Sequence, residues 1–449
     1  MVADYWRGLI AGELAGRDIV LTGSPVNAAG AAVIESRELG AARVFVLGEG
    51  MGTGSPPDAE WFCLPIDGDS IMEVIRAGQA VLRDLPDDAR AALDRFDPDG
   101  EALVIGSFLN EAPEVAGRPC LAWRRPEWLA LEDKVVVDEL WDAAGVDRAP
   151  SRVVAVEDLA WRGSEVWAGD AREGFHGGAE LTRWVTTQAA ATASAAEMAA
   201  HCDRVRTMPF LEGIPCSIHG FVLAERVAAL RPVEMITLRS GEQFFYAGAA
   251  TYWDPPDPDR EAMRDIARRV GAELRRRVDF RGAFTVDGVM TAGGFRPTEL
   301  NPRLGAGLRA LGRGLPQVPF DLLNQVIVSR PDLDYRPAEF EEVVLDAADR
   351  HRGGGTWRGV TTTLEPVPVR PLTWTGDGWR WAADDAPADG WVEAGASNLG
   401  GFIRLTTNAA RTPAGPSLAP RAAAFYAFSD AELGTDIGAL TPASDLRRA

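Results

Sequence analysis

The stretch Pro297-Thr298-Glu299-Leu300-Asn301-Pro302-Arg303-Leu304-Gly305-Ala306-Gly307 sets an anion, an amide and a cation at alternate positions, 299, 301 and 303. In a β-strand that spacing puts all three side chains on one face. The segment ahead of it, Phe284-Thr285-Val286-Asp287-Gly288-Val289-Met290, alternates apolar and polar residues and is broken by Thr-Ala-Gly293-Gly294, so the two segments read as a hairpin. Centred on Gly293, the hairpin sets position 287 opposite position 299. Asp287, Glu299 and Asn301 then share a face, and Arg303 follows if the strand persists past Pro302. Carboxylates at cross-strand distance repel unless a cation lies between them. With an amide oxygen they form a ligand set suited to Mg²⁺, which also binds substrate phosphates. An exposed hairpin with ordinary surface acids is the plainer alternative, but three oxygen ligands, Arg303 and the Gly305-Ala306-Gly307 loop together favour a Mg²⁺–nucleotide site.

Working outward, Asp18 to Thr22, an Ala-rich stretch to about Gly40 and Ala42 to Leu47 read as a β-α-β unit, hence a parallel sheet, and Ala102 to Ile105 is a similar run. No GxGxxG supports a dinucleotide site there. From Leu131 a helix is signalled by Glu132 and Asp133 at its positive end, by Val136, Leu140 and Ala144, and by Gly145 as its stop. Lys134 is expected in its first turn. Val166 to Thr186 reads as two strands around a Gly-rich tip, Gly174-Phe175-His176-Gly177-Gly178, whose backbone N–H groups suit an anion. A long helix over Asp259 to about Arg277 buries Met263, Ile266, Val270 and Leu274, with Arg260, Arg264, Arg268 and Arg275 expected on a solvated face. Past residue 330 the composition shifts to Pro, Thr and Trp. Trp374, Trp379 and Trp381 flank Gly376-Asp377-Gly378 as a hairpin, and a helix follows near Arg421 to Phe428.

A chain of 449 residues, 46% hydrophobic, buries a large core across several domains. Its net charge of −20 argues against nucleic-acid or anionic-membrane partners, which need clustered Lys and Arg. Cys63, Cys120, Cys202 and Cys216 stand apart without a CxxC pair, which suggests neither a disulfide framework nor a zinc site. The first residues carry no basic segment ahead of an apolar core, and no window approaches a membrane-spanning length, so the chain reads as cytoplasmic. Forty-five arginines accompany a single lysine, Lys134. His219, on an expected strand, reads as a satisfied core residue, and none of the four histidines is assigned as a base.

Asp287 followed twelve positions later by Glu299-Leu300-Asn301-Pro302-Arg303 resembles the second-lobe signature of the ATP-grasp superfamily, over roughly residues 131 to 310. The resemblance implies an ATP-grasp fold of the α+β / α/β class, with a Rossmann-like N-terminal pre-domain and an additional, mostly β, C-terminal domain. The expected boundaries are 1–130 for the pre-domain, 131–207 and 208–330 for the two lobes, and 331–449 for the C-terminal domain. It implies ATP and Mg²⁺ as cofactors, with Asp287, Glu299 and Asn301 as metal ligands. Arg303 would steady the transferred phosphoryl group, a role its fork of donors suits, and Lys134 would bind phosphate. The Gly174, Gly177 and Gly178 tip resembles the loop that closes over the phosphates. Met208-Pro209-Phe210-Leu211 resembles the interlobe hinge that reads adenine, with Glu212 a candidate for ribose contact. One departure stands out: Val166-Trp167-Ala168, where many members carry a second lysine, has none, and Arg172 or Arg183 would have to compensate.

The "ELNPR-LGAG" ending, the pre-domain and the extra domain look most like ATP-grasp peptide ligases of actinobacterial natural-product pathways, the pheganomycin type. This implies amide formation through an acyl phosphate, between a carboxylate donor and an amine or peptide acceptor. Gly305 and Gly307, with Arg303 or Arg296, would hold the donor carboxylate, and an acidic chain suits a basic or guanidino-bearing substrate. Ligation of a single amino acid or small amine, a phosphotransferase using the same cleft, and a non-catalytic ATP-binding regulator are the alternatives. Capping the substrate site and forming a homodimer contact are both open to the C-terminal domain.

Overall fold

The computed structural model describes residues 2–447 except Asp67, Asp69, Glu173, Phe175, His176, Gly178, Asp384, Asp385 and Asn398, and only the backbone of Ile71. Residues 18–105 contain the strands of the expected parallel sheet. Among the described residues it has four strands, in the order Glu60–Leu64, Arg43–Glu49, Asp18–Leu21 and Leu103–Ile105. A helix ahead of it, Val2–Leu14, buries Trp6, Ile10 and Leu14 at helical spacing. Those residues pack in one core with Phe320, Val326, Phe340 and Val344 from far along the chain. Trp6 meets Phe340 edge-on at 5.2 Å and donates its indole N–H to the Tyr335 carbonyl at 2.8 Å. The N-terminal layer is thereby clamped to the helices Phe320–Ser329 and Pro337–Arg350.

The middle of the chain forms an antiparallel sheet, ordered Gly294–Asn301, Gly282–Thr291, Ile214–Val222, Val233–Ser240, Gln243–Ala250, Thr182–Val185, Glu165–Gly169, Arg204–Pro209 and Arg152–Ala155. Its two halves meet at one register pair, Gln243 with Arg183, and along the chain at residues 210–213. Gly213 (φ +140°) lies hard against the Met290 carbonyl, where any Cβ would collide, so the crossing between halves needs glycine. The helix Gln188–His201 packs on the first half. The helix Asp257–Val278 packs on the second, with Met263, Ile266, Val270 and Leu274 buried as expected.

Two expectations about helices are corrected. The helix after Leu131 spans only Val137–Ala143, because Asp133 is extended and residues 134–136 form a turn; Lys134 precedes the helix. Its end is as read: Gly145 (φ +63°) closes it, with N–H bonds from Gly145 to Asp142 and from Val146 to Trp141. The four arginines expected on a solvated face of the long helix are instead bound by partners. Arg264 and Arg268 reach Glu341 at 2.6 and 2.8 Å and Arg260 reaches Asp349 at 2.5 Å, both acids on Pro337–Arg350, while Arg275 donates to backbone carbonyls at 223 and 224. The solvated reading assumed no partner helix, and Pro337–Arg350 is one.

The remaining strands form a separate antiparallel sheet, five strands among the described residues, ordered Gly355–Val360, Gly400–Thr407, Gly390–Ser397, Val367–Trp374 and Trp379–Trp381. Trp374 pairs with Trp379 across the expected hairpin. The helix Ala419–Leu433 covers this sheet. Among the described residues no helix is long and apolar enough to cross a membrane, and the four cysteines are free thiols.

Candidate functional site

The decisive hairpin pairs Asp287 with Glu299 and Thr285 with Asn301, as the alternation predicts. It gets there differently. A tight Thr291–Gly294 turn shortens the loop, and a bulge between Asp287 and Gly288 restores the pairing. Asn301 Nδ2 donates to Asp287 Oδ2 at 2.8 Å, and Arg303 Nη2 donates to Asn301 Oδ1 at 2.9 Å. The strand ends at Asn301, where a turn (Arg303 N–H to Asn301 O, 2.8 Å) carries Arg303 back over the site. Burial first, then the neighbouring Glu299, push the Asp287 carboxyl up to about 7. Such crowding of carboxylates marks a place made for a cation.

One cation answers those acids from outside the hairpin, and a third acid holds Arg303. Lys134 Nζ lies 3.1 Å from Glu299 Oε1, with its side chain only 8% exposed. Glu132, two residues earlier, takes Arg303 Nε at 2.6 Å on one oxygen and Arg124 on the other. The linker between the N-terminal layer and the central sheet thus delivers a lysine to one carboxylate and an acid to the essential-looking arginine. Lys134 acts here as a buried point charge, not as part of a helix terminus.

Asp287, Glu299, Asn301 and Arg303 line a cavity of about 230 Å³ whose walls also include Gly177, Ser217, His219, Tyr246, Gly305 and Gly307. An apolar cavity of about 160 Å³ adjoins it through Met235, Thr237 and Thr298, and is walled by Met208, Leu211, Glu212, Phe244 and Val289. Phe210 stacks on Trp184 at 4.2 Å at its rim, and Arg239 lies over both rings. Glu212 faces Arg239 at 3.6 Å. Of the expected glycine tip, Gly177 reaches the polar cavity, Gly174 (φ +90°) lines a neighbouring one beside Glu132 and Asp133, and Gly178 lies outside the described residues.

Arg296 is not brought to the site: it lies towards the hairpin tip and its guanidinium meets Asp147 at 3.0 Å. Nor do Arg172 and Arg183 compensate for the absent lysine, being held by Asp203 at 3.2 Å and Glu197 at 2.9 Å. Arg206 stands there instead. It pairs across the strands with Ala168, is fully buried, reaches Asp138 at 2.7 Å and donates to the Thr298 carbonyl at 3.0 Å, where the two cavities meet. The small side chain at 168 leaves room for that guanidinium. Sequence spacing carried no sign of it, because the pairing is between distant strands.

His219 is likewise more than a packed core residue. Its Nδ1 lies 2.8 Å from Thr285 Oγ1, while Nε2 has no hydrogen-bond partner among the described residues and lies against Gly307; side chains at 305 or 307 would strike the ring. Burial drops its pKa to about 3, so the ring stays neutral.

Among the described residues no group of three or more His, Cys, Asp or Glu is assembled to hold a metal. The donor set present fits Mg²⁺ in the other way the hairpin provides: two opposed carboxylates and an amide oxygen, all hard ligands, in a polar cavity with room for phosphates and water.

No family model and no curated protein matches the sequence. Among solved structures the chain is similar to an L-amino acid ligase from Bacillus licheniformis, at 14% identity and a TM-score of 0.54, over 93% of this chain and 98% of that one. It is similar to biotin carboxylase from Campylobacter jejuni in a complex with β,γ-ATP, at 12% identity and 0.54, over 96% and 93%. The third likeness is to the biotin carboxylase domain of Hydrogenobacter thermophilus 2-oxoglutarate carboxylase, crystallised with MgADP, ADP and bicarbonate, at 12% identity and 0.56, over 88% and 86%. The fold is that of the ATP-grasp proteins, mixed α/β, with a large antiparallel sheet and an additional β domain.

Proposed function

We propose that the chain is an ADP-forming carboxylate–amine ligase. The observation that carries this reading is the continuity of an apolar, aromatic-rimmed cavity with a polar one where Lys134, Asp287, Glu299, Asn301 and Arg303 converge. The first suits an adenine ring and the second a polyphosphate. Met208 and Leu211 would take the base of ATP, and Lys134 and Arg206 would lie towards its phosphates. Asp287, Glu299 and Asn301 would hold Mg²⁺, which would supply neutralisation of phosphate charge. Arg303 steadies the γ-phosphoryl as a substrate carboxylate oxygen attacks phosphorus and ADP leaves, giving an acyl phosphate. An amine then attacks the acyl carbon, and amide, inorganic phosphate and a proton result. The Gly305–Gly307 loop, packed against His219 and Thr285 at the edge of the polar cavity, offers its backbone N–H groups to the donor carboxylate.

Peptide-bond formation in natural-product biosynthesis is the finer reading, supported by the Glu299-Leu300-Asn301-Pro302-Arg303 and Leu304-Gly305-Ala306-Gly307 ending and by the likeness to an amino acid ligase. The test is hydroxamate formation from ATP, Mg²⁺ and hydroxylamine over a panel of amino acids and related carboxylates. The expected result is hydroxamate with the wild type and a loss of roughly 100-fold with Lys134→Ala. ATP turnover into a stable phosphate ester, with no hydroxamate, would identify a phosphotransferase instead.

A further inference from the structure

The C-terminal sheet meets the central sheet along a seam of glycines. Gly248 (φ +151°) approaches the Gly355 carbonyl so closely that a Cβ would sit 2.5 Å from it, and a Cβ on Gly354 would sit 2.5 Å from that of Ala250. Ala250 and Gly354 form a backbone bridge. Along this seam a third cavity, about 250 Å³, opens beside the reaction cavity and shares Ala249 and Ala306 with it. Its walls bring together Arg309 and Arg313, which follow the glycine loop, with Trp357 and Arg404, which are direct partners on the two C-terminal strands.

Among the described residues, two of the three guanidiniums on this cavity are not matched by an acid at contact distance. Arg404 reaches Glu393 at 3.0 Å, but Arg309 and Arg313 make neither hydrogen bond nor ion pair among the described residues. Around the central sheet, Arg206, Arg264, Arg268 and Arg303 are all held by acids. Arg313 lies flat over Gly353, a position that any side chain at 353 would abolish. Trp357 is 43% exposed, an indole beside three guanidiniums. In a chain of net charge −20, two exposed guanidiniums that face a cavity without an ion pair, Arg309 acting on Asp321 only through space, leave positive charge there for an anion from outside.

We propose that this groove binds a second substrate carboxylate, one that is not activated, with Trp357 packing against the substrate's apolar part. Its source is the amine acceptor: the acceptor is an amino acid or peptide with a free C-terminus, and its amine is presented to the acyl phosphate past Ala306. The assignment of reacting groups rests on the ligase reading, while the anion site itself does not. It replaces the basic substrate that overall charge suggests.

Ligand-observed saturation-transfer NMR on the full chain tests the site without turnover, using L-phenylalanine and glycyl-L-phenylalanine against their C-terminal amides. Saturation is expected for the free carboxylates, with affinity roughly tenfold weaker for each guanidinium removed in Arg309→Gln and Arg313→Gln, and with binding of a fluorescent ATP analogue unchanged. Equal binding of the amides, unchanged binding by the variants, or no saturation by either free carboxylate overturns the groove. The source is read from kinetics. If the carboxylate belongs to the acceptor, the variants raise the KM for an amino-acid acceptor about tenfold and leave hydroxamate formation intact; a raised donor KM with hydroxylamine instead overturns that assignment. Absence of hydroxamate from the wild type counts against the ligase reading alone.

Discussion

At Asp287 and Glu299 the two site carboxylates face each other, yet they stand in different balance with the rest of the protein. Glu299 is matched by Lys134 at contact distance, whereas Asp287 takes its hydrogen bonds from an amide and a hydroxyl, and Arg303 and Lys134 offset its burial and its like-charged neighbour only in part. Asp287→Asn and Glu299→Gln should each lower turnover by roughly 100-fold or more. Their stabilities should move apart. Asp287→Asn relieves repulsion and raises the ligand-free Tm by about 2 °C, on the order of 1 kcal/mol. Glu299→Gln leaves a recessed ammonium unmatched and costs about 1–2 kcal/mol, discounted for the partial exposure of Glu299. Calorimetric scans of the two variants check this; equal shifts would remove the Lys134–Glu299 pairing from the account. Arg206 gives a second test. Arg206→Met should weaken binding of an ATP analogue about tenfold, and adding Ala168→Lys should restore it by returning a cation to the same space.

Single elements were legible in the chain where their signal is local, and obscure where a distant partner supplies it. The Asp287–Glu299 hairpin follows from alternation and glycine placement alone, and only its bulge was unreadable. The helix Pro337–Arg350 also carried a signal, with proline in its first turn and Phe340, Val344, Ala347 and Ala348 at helical spacing, but the surrounding drift to Pro, Thr and Trp hid it. Lys134 was placed one turn too deep because acids that suit a helix start, Glu132 and Asp133, serve Arg303 and a turn instead. Another distant pairing supports the helix Ala419–Leu433. Glu234, on the strand Val233–Ser240, accepts from the N–H of Leu418 at 2.8 Å, the N–H of Ala419 at 3.2 Å and Ser417 Oγ at 2.5 Å. Burial, with a smaller push from Asp445, outweighs those donors and raises its pKa from 4.5 to about 7. A raised pKa means that the folded state holds the proton more tightly. The contribution is therefore full below pH 4.5 and is lost as pH rises through about 7, roughly 3 kcal/mol in all. Between pH 5 and 8 the Tm of the wild type should fall relative to that of Glu234→Gln; parallel curves would refute the buried carboxyl as the cause.

Over the whole molecule, the apolar cavity is completed by chain from far beyond the central sheet. Thr441 exchanges backbone hydrogen bonds of 2.9 Å with Arg239, Ala443 lines the apolar cavity, and Arg447 forks onto Asp259 at 2.7 and 2.8 Å and reaches the Ala292 carbonyl at the hairpin tip. Removing residues 439–449 should weaken ATP binding about tenfold while leaving the secondary structure in place, measured by calorimetric titration and circular dichroism. Unchanged affinity would reduce this strap to a surface tether. Nothing in the sequence near residue 440 announced such a role, since an extended segment without periodicity takes its meaning from what it lies on.

The lone lysine has a practical consequence. Amine-directed chemistry, which on most proteins gives a statistical mixture, has one side-chain target here, and that target is buried with its nitrogen on Glu299, a wall of the polar cavity. The stoichiometry of acylation at residue 134 therefore reports the occupancy of one address. Intact-mass spectrometry of a carbamylated or acetylated sample reads directly, without a substrate and without a reporter, how often that cleft stands open.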